Sequence, residues 1–486
     1  MKILKNNGIE KMFICIVSVM LLFCIFCNLI WNPSWLGYDR VIQIKYFLVW
    51  LPLISVVSYG VFKWKINFEK YIFILFVVML ICQTGLVYTL TTDVGWDCGM
   101  LINAATGNYS EMCNDYLSLY PNNLFLVFVF RIWSNILHTN QEFFIYGLNI
   151  LNIFAVDISY LLLFLIIKIC IEEKIGKLIA LYFVCIIGIS PWIVIPYSDL
   201  QMMAWGLLLF YLYLRLKEKN GKTTEFVFGS LLVGFAFFCG IRIKPTIVVI
   251  YIAICMMCVG RKNLKALCIF LCGIFLVFVL NHFWNSFVQK QDVFQIDENK
   301  SVPVTHYIMM GLNDNYGAYS EKDLEITNSG KNYQEKIKMN LEEIDKRIHN
   351  MNFFSHMKRL WKKLRFVYSE GNFFWGGEGG MNFINFNLDK YKIVRNLFYI
   401  NGANYDCYKY SMQGIWFSLL LFTSLNVLKI KSYTCDSEMG ILFLVILGIT
   451  MFVLLFEARS RYLISFLPFF SMAAGEGAAH IWGGIE

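Results

Sequence analysis

An all-α polytopic membrane protein with about twelve spanning helices is the fold class the sequence predicts. Two observations carry that expectation. Of 486 residues, 58% are hydrophobic, 17% aromatic and only 16% charged, whereas a soluble chain carries about 25% charged residues. No water-soluble fold could hide so much apolar surface, so lipid must solvate most of the chain. The apolar residues also fall into runs of about 20, the length a helix needs to cross the hydrocarbon core.

The runs lie near 12–31, 46–62, 71–90, 143–167, 178–197, 199–215, 226–241, 246–260, 266–284, 408–428, 439–456 and 462–482. The first follows Lys2, Lys5 and Lys11, and no small-residue cleavage site succeeds it. It reads as a retained helix rather than a removed signal peptide. With the N-terminus cytoplasmic, the basic segment from Phe62 to Lys70 falls inside, as the distribution of Lys and Arg requires. Segment 91–120 then falls outside. It holds Asp93, Asp97, Glu111 and Asp115 and no Lys or Arg. Segment 121–137 is apolar too, but counting it as a span would put Lys168, Lys174 and Lys177 outside and invert every later short loop. It is short, opens with Pro121-Asn122-Asn123 and carries Arg131 in its middle, so an interfacial or half-inserted helix is expected.

Three regions follow. Residues 1–284 form a transmembrane module with a functional first external loop at 91–120. Residues 285–405 form an extracytoplasmic loop or small subdomain, and 406–486 hold the C-terminal transmembrane helices. The formal charge of +8 is scattered between apolar runs, which suits positive-inside topology and phosphate contacts better than nucleic acid. The fifteen cysteines show no metal-ligand spacing, and most sit in apolar runs as small hydrophobes. Cys98 and Cys113 share one polar segment and are a candidate external disulfide.

Four polar features stand at the outer face. Asp97, in Asp93-Val-Gly-Trp-Asp97-Cys-Gly, is either a general base for an acceptor hydroxyl or a solvated loop acid. Asp199, in Pro196-Tyr-Ser-Asp199, lies in a tight turn where a carboxylate is costly unless paired or facing a wet cavity; an N-cap for the next helix is the alternative. Arg242-Ile-Lys244-Pro245 and Glu457-Ala-Arg459-Ser-Arg461-Tyr462 put cations at the headgroup level, suited to a lipid-linked phosphate or to simple snorkelling. In the large loop His306 is either an acceptor contact or a structural histidine. His356 to Phe366 reads as an interfacial helix on anionic headgroups or a solvated basic face. The aromatics of Ser369 to Gly377 could line a sugar site.

The order of these features resembles the GT-C glycosyltransferases: a span, Trp96-Asp97-Cys-Gly with Gly107 beyond, Tyr120-Pro121 opening a short helix, an outer turn with Asp199, and a helix ending near Lys244. Within that superfamily the pattern is similar to glycosyltransferase family 39, the protein O-mannosyltransferases and the transferase that adds aminoarabinose to lipid A. Tyr116 to Asn123, His306 to Gly311 and Arg459 to Pro468 look like a Gram-positive branch. The resemblance implies a GT-C bundle of about 12 helices, a catalytic base at Asp97, a second acid at Asp199, and Lys244 near the lipid phosphate. Relatives often carry an acid directly after the first, and here Cys98 stands there, which weakens the case for a bound Mg or Mn ion. No cofactor is otherwise called for.

The expected activity is inverting transfer of a sugar, a hexose, from a polyprenyl-phosphate donor to an envelope glycan, lipid or protein at the outer face of the plasma membrane. Asp97 and Asp199 are its catalytic candidates. Lys244, Arg242, Arg459, Arg461, Tyr120 and His306 are the candidates for binding lipid phosphate or sugar. A lipid-linked glycan flippase is the competing class, although it should carry ionisable residues near the midplane, where only Asp157 and Arg131 stand. An envelope polysaccharide polymerase or ligase is a third.

Overall fold

The computed structural model describes residues 8–107, 110–137, 143–217, 223–378, 391–431 and 438–482. Among them every regular element is helical. Three long helices open the chain: α1 (Gly8–Ile30), α2 (Arg40–Lys63) and α3 (Phe68–Leu90). Three short ones follow: α4 (Trp96–Ala105), α5 (Glu111–Leu119) and α6 (Leu124–Leu137). The central group is α7 (Phe144–Cys170), α8 (Glu173–Phe183), α9 (Ser198–Lys217), α10 (Thr223–Ile243), α11 (Val248–Gly260) and α12 (Leu264–Lys290). A peripheral set comprises α13 (Val304–Gly311), α14 (Glu321–Asn328), α15 (Tyr333–His349), α16 (Phe353–Val367) and α17 (Lys392–Phe398). The last three are α18 (Tyr405–Ser424), α19 (Met439–Leu455) and α20 (Leu467–Trp482).

Eleven of the twelve apolar runs lie on one helix or its short 3-10 extension; the run 178–197 instead leaves α8, passes a π turn at Val184–Gly188 and ends in the 3-10 segment Pro191–Val194. Among the described residues seven helices are long and apolar enough to cross a membrane, those of α1, α2, α3, α7, α10, α12 and α18, while those ending at Gly260 and Leu455 are apolar but shorter. The remaining three, α8, α9 and α20, are buried along most of their length. Protein rather than lipid surrounds them, so their sequences need not be as hydrophobic. Small residues let α20 pack at close range, as in membrane bundles generally. A Cβ on Gly477 would collide with the carbonyl oxygen of Phe422 in α18, and one on Gly475 with Ile179 in α8.

Ion pairs and hydrogen bonds define the two ends of the bundle. At one end Arg261, closing α11, reaches Glu10 in the first turn of α1 at 3.1 Å and Glu438, just before α19, at 2.9 Å. Lys217 at the end of α9 also pairs with Glu438. Lys168 of α7 meets Glu69 of α3 at 2.9 Å on this same end. At the other end Asn149, early in α7, donates to the Thr91 hydroxyl just after α3 at 2.9 Å. The chain thus leaves α3 and enters α7 at one level, and 91–143 makes no net crossing. Helix α6 has 14 residues, about 21 Å at 1.5 Å per residue, too short to span.

The segment after α15 departs from the expectation of a separate external subdomain. Residues 363–375 are buried without interruption, and the chain there threads into the end of the bundle. Asn28 donates to the Arg365 carbonyl at 3.1 Å, Asn32 to that of Ser369 at 2.8 Å, and Gln413 accepts from the Gly371 amide at 2.7 Å. Its aromatics are core rather than an open sugar platform. Trp375 is 1% exposed, packs 5.9 Å from Trp192 and donates to the Phe398 carbonyl at 2.6 Å. Cys98 and Cys113 are buried free thiols; the Cys98 thiol instead donates to the Pro196 carbonyl at 3.3 Å, which overturns the disulfide expectation.

Gly477→Val is expected to abolish the monodisperse folded protein in detergent, because the clash is with backbone. Gly60→Ala, where a Cβ meets nothing within 4 Å, should leave the thermal midpoint unchanged or raise it, alanine being favoured over glycine in a helix by about 1 kcal/mol.

Candidate active site

Asp97 owes its position to a strained turn. After α3 the chain passes Val94 and Gly95, and Trp96 takes φ +44°, a conformation that is costly for a bulky side chain. This swings the chain into α4 with Asp97 in its first turn, where the helix dipole favours negative charge. Gly99 is required there, since a Cβ would strike the Val94 carbonyl oxygen. The Trp96 ring lies 4.9 Å from that of Tyr197, and the Tyr197 hydroxyl faces an Asp97 oxygen at 3.4 Å. The Tyr116 hydroxyl also bonds Asp97 and accepts from Asn123 at 2.8 Å.

Asp199 arrives from the far side of the turn after the buried 3-10 segment Pro191–Val194. Helix α9 begins at Ser198, so Asp199 sits inside its first turn rather than capping it. Its carboxylate forms a buried ion pair with Lys244, just beyond α10. The ammonium lies 4.9 Å from the centre of the Tyr462 ring, and Ser465 donates to the Asp199 carbonyl at 2.6 Å. Three elements distant in sequence are thereby fixed together. The second Asp199 oxygen is buried with no hydrogen-bond partner among the described residues.

Arg461 joins the two acids. Its guanidinium is 4.5 Å from the Trp96 ring, 5.4 Å from Tyr197 and 5.7 Å from Tyr462. It is 7% exposed, and two of its N–H-bearing nitrogens find no acceptor among the described residues. Glu378 faces it at 3.5 Å without making a hydrogen bond. Arg459 lies 4.6 Å from the Trp35 ring and 5.5 Å from Phe374, with one buried nitrogen likewise unpartnered. Between the arginines, the Ser460 hydroxyl donates to Glu370, which also accepts from Ser34. Glu457 accepts from the Tyr462 hydroxyl at 2.8 Å.

The cluster therefore holds five carboxyl groups, Asp97, Asp199, Glu370, Glu378 and Glu457, against four cations, Lys244, Lys363, Arg459 and Arg461. Burial raises the Asp97 carboxyl, against the pull of Arg461 and the two tyrosine hydroxyls. Burial also raises Glu457, opposed by Arg459 and Tyr462, and pushes Glu370 up to about 7. Among the described residues no three His, Cys, Asp or Glu side chains converge to hold a metal ion.

Of the residues singled out in the sequence, Asp97, Asp199, Lys244, Arg459, Arg461 and Tyr120 belong to this end of the bundle; the Tyr120 ring lies tilted 5.3 Å from that of Tyr116 and feels the charge of Asp97. Two do not join it. Arg242 turns toward α12, donating to Asn281 at 3.0 and 2.7 Å. His306 is buried against the Thr327 hydroxyl at 2.7 Å, and burial lowers it to about 4, so it is a neutral structural histidine. Its neighbour Tyr307 is the one that feels Tyr120, Glu457 and Asp97. Sequence reasoning passed over Tyr116, Tyr197, Tyr307 and Tyr462 as functional groups, although all four lie in segments quoted for other reasons. Glu370 lies in the segment Ser369 to Gly377, singled out for its aromatics rather than its acid, and nothing in the sequence marked Glu378.

Lys244→Met alone leaves Asp199 buried without its counter-charge and is expected to destabilise the protein by about 3–5 kcal/mol; adding Asp199→Asn should recover most of that in thermal unfolding. For Glu370 the sign is fixed by its raised value. The unfolded chain ionises a Glu near 4.3, so between about pH 4.5 and 7 the folded state keeps a proton the unfolded state has lost, and stability falls as pH rises. Glu370→Gln is expected to flatten that slope in melts run from pH 5 to 8.

No curated protein and no solved structure matches the chain. A family model described as conserved hypothetical integral membrane protein matches residues 2–478. The chain therefore belongs to that family of integral membrane proteins.

Proposed function

We propose that the protein is an inverting glycosyltransferase of GT-C type that moves a sugar from a polyprenyl-phosphate donor to an envelope glycan, lipid or protein at the outer face of the plasma membrane. The observation that supports this reading is the meeting of Asp97 with a buried guanidinium, Arg461, that keeps N–H groups without an acceptor among the described residues, among tyrosine rings at one end of the bundle. A base and an anion receptor side by side are what transfer from a phosphate leaving group needs.

In this reading the acceptor hydroxyl oxygen attacks the anomeric carbon from the face opposite the phosphate. Its proton passes to an Asp97 oxygen as the bond from carbon to phosphate oxygen breaks, and the configuration inverts. The bonding electrons leave with the phosphate, already a stable anion, so no general acid is required. The free N–H groups of Arg461 and Arg459 meet the charge that develops on the phosphate, in a buried setting where such contacts are strongest. Burial raises Asp97 and makes it a stronger base than an exposed aspartate. The Asp199–Lys244 pair holds α9 against α10 and sets the Tyr462 ring beneath Arg461. Tyrosine hydroxyls and ring faces suit sugar recognition.

Purified protein in nanodiscs, given labelled polyprenyl-phosphate hexose and envelope acceptors, should transfer the label, and Asp97→Asn should lower the rate about 10²–10⁴-fold, the usual contribution of a general base. Parental transfer by Asp97→Asn would sink the assignment. Movement of intact donor across the bilayer without transfer would identify a flippase instead.

A further inference from the structure

We propose that the exposed half of α16 is a docking surface for anionic phospholipid headgroups, on the same end of the bundle as Asp97. The inference stands apart from glycosyl transfer. From Asn350 to Tyr368 the chain has no Asp or Glu, but it carries Lys358, Arg359, Lys362, Lys363 and Arg365. Three of these cations are committed inside the protein. Arg359 reaches the Leu312 carbonyl at 3.4 Å, Lys363 those of Gly311 and Leu454 at 3.0 and 3.1 Å, and Arg365 that of Cys27 at 3.1 Å. Lys358 and Lys362 are exposed, one helical turn apart.

The apolar side of the helix points the same way. Phe353, Phe354 and Met357 are 69%, 82% and 44% exposed, an arrangement unfavourable in water for two adjacent phenylalanines. Phe353, Met357 and Trp361 form one i, i+4, i+8 stripe. That stripe ends where the Trp361 ring lies 4.3 Å from Phe23 of α1, which is itself 52% exposed on a spanning helix. The apolar stripe of α16 is thus continuous with lipid-facing surface. Phe354, Lys358 and Lys362 form the neighbouring stripe, which lets the aliphatic stems lie on the acyl boundary while the ammonium groups meet lipid phosphates. Arg365, 4.5 Å from the Trp31 ring near the end of α1, fixes the depth of the C-terminal half.

The test compares hydrogen exchange of residues 350–362 in full-length protein, in nanodiscs of phosphatidylcholine alone and of phosphatidylcholine with phosphatidylglycerol. Exchange is expected to be roughly fivefold slower in the anionic discs, each lysine near such a surface adding attraction, with α15 unchanged. Lys358→Gln/Lys362→Gln should erase the difference between disc types, and Phe353→Ser/Phe354→Ser should speed exchange in both. Equal exchange of the wild-type protein in the two discs overturns the proposal without recourse to any variant. So does equal protection by inorganic phosphate in the zwitterionic discs, which would indicate an anion site with no lipid requirement.

Discussion

The buried pair of Asp199 and Lys244 is the constraint on which the arrangement at this end of the bundle depends. A lone charge at either position would be expensive in such surroundings, so the two groups must meet, and their meeting fixes where α9 begins relative to where α10 ends. Lys244 in turn sits over Tyr462, and Ser465 closes onto the Asp199 carbonyl, so the entry to α20 is held by the same contact. Arg461 then has only one place to go, over the Trp96 and Tyr197 rings beside Asp97.

The segment from Lys363 to Glu378 plays the complementary part. It leaves α16, enters the bundle end and returns, and its polar backbone is satisfied by side chains of α1 and α18. Non-helical backbone at such depth is tolerated only where protein covers it. The same segment delivers Glu370 and Glu378 to the two arginines. At the opposite end a simpler device serves: Arg261 and Lys217 gather the starts of α1 and α19 onto the ends of α9 and α11. One end is stapled by closely paired charge; the other keeps N–H groups and carboxyl oxygens without close partners.

Five carboxyls against four cations cannot all be ionised cheaply at low dielectric, and burial raises Glu370, Glu457 and Asp97 above the ordinary carboxylate range. The cluster is therefore sensitive to protons and to anions together. A bound anion at Arg461 would add negative charge and favour further proton uptake by its neighbours.

Much of this was legible in the sequence alone. Run length and the sparing use of charge determined the helical membrane class and the positions of the helices, because the thickness of hydrocarbon and the need to satisfy backbone groups leave few alternatives. The balance of Lys and Arg gave the expectation that 121–137 adds no crossing, and the acids at 97 and 199 and the cations at 244, 459 and 461, singled out in the sequence, are residues that the fold brings to one end. Only the tertiary structure decided which of them touch. A one-dimensional pattern could not tell that Arg242 would turn to Asn281 while Lys244 turned to Asp199, two residues apart on opposite sides of a helix end. Nor could it show that His306 is buried on Thr327, or that Glu370 and Glu378 are carried into the bundle by a loop whose composition reads as external. Side-chain direction and loop path are set by packing against distant parts of the chain, and local sequence carries no record of them.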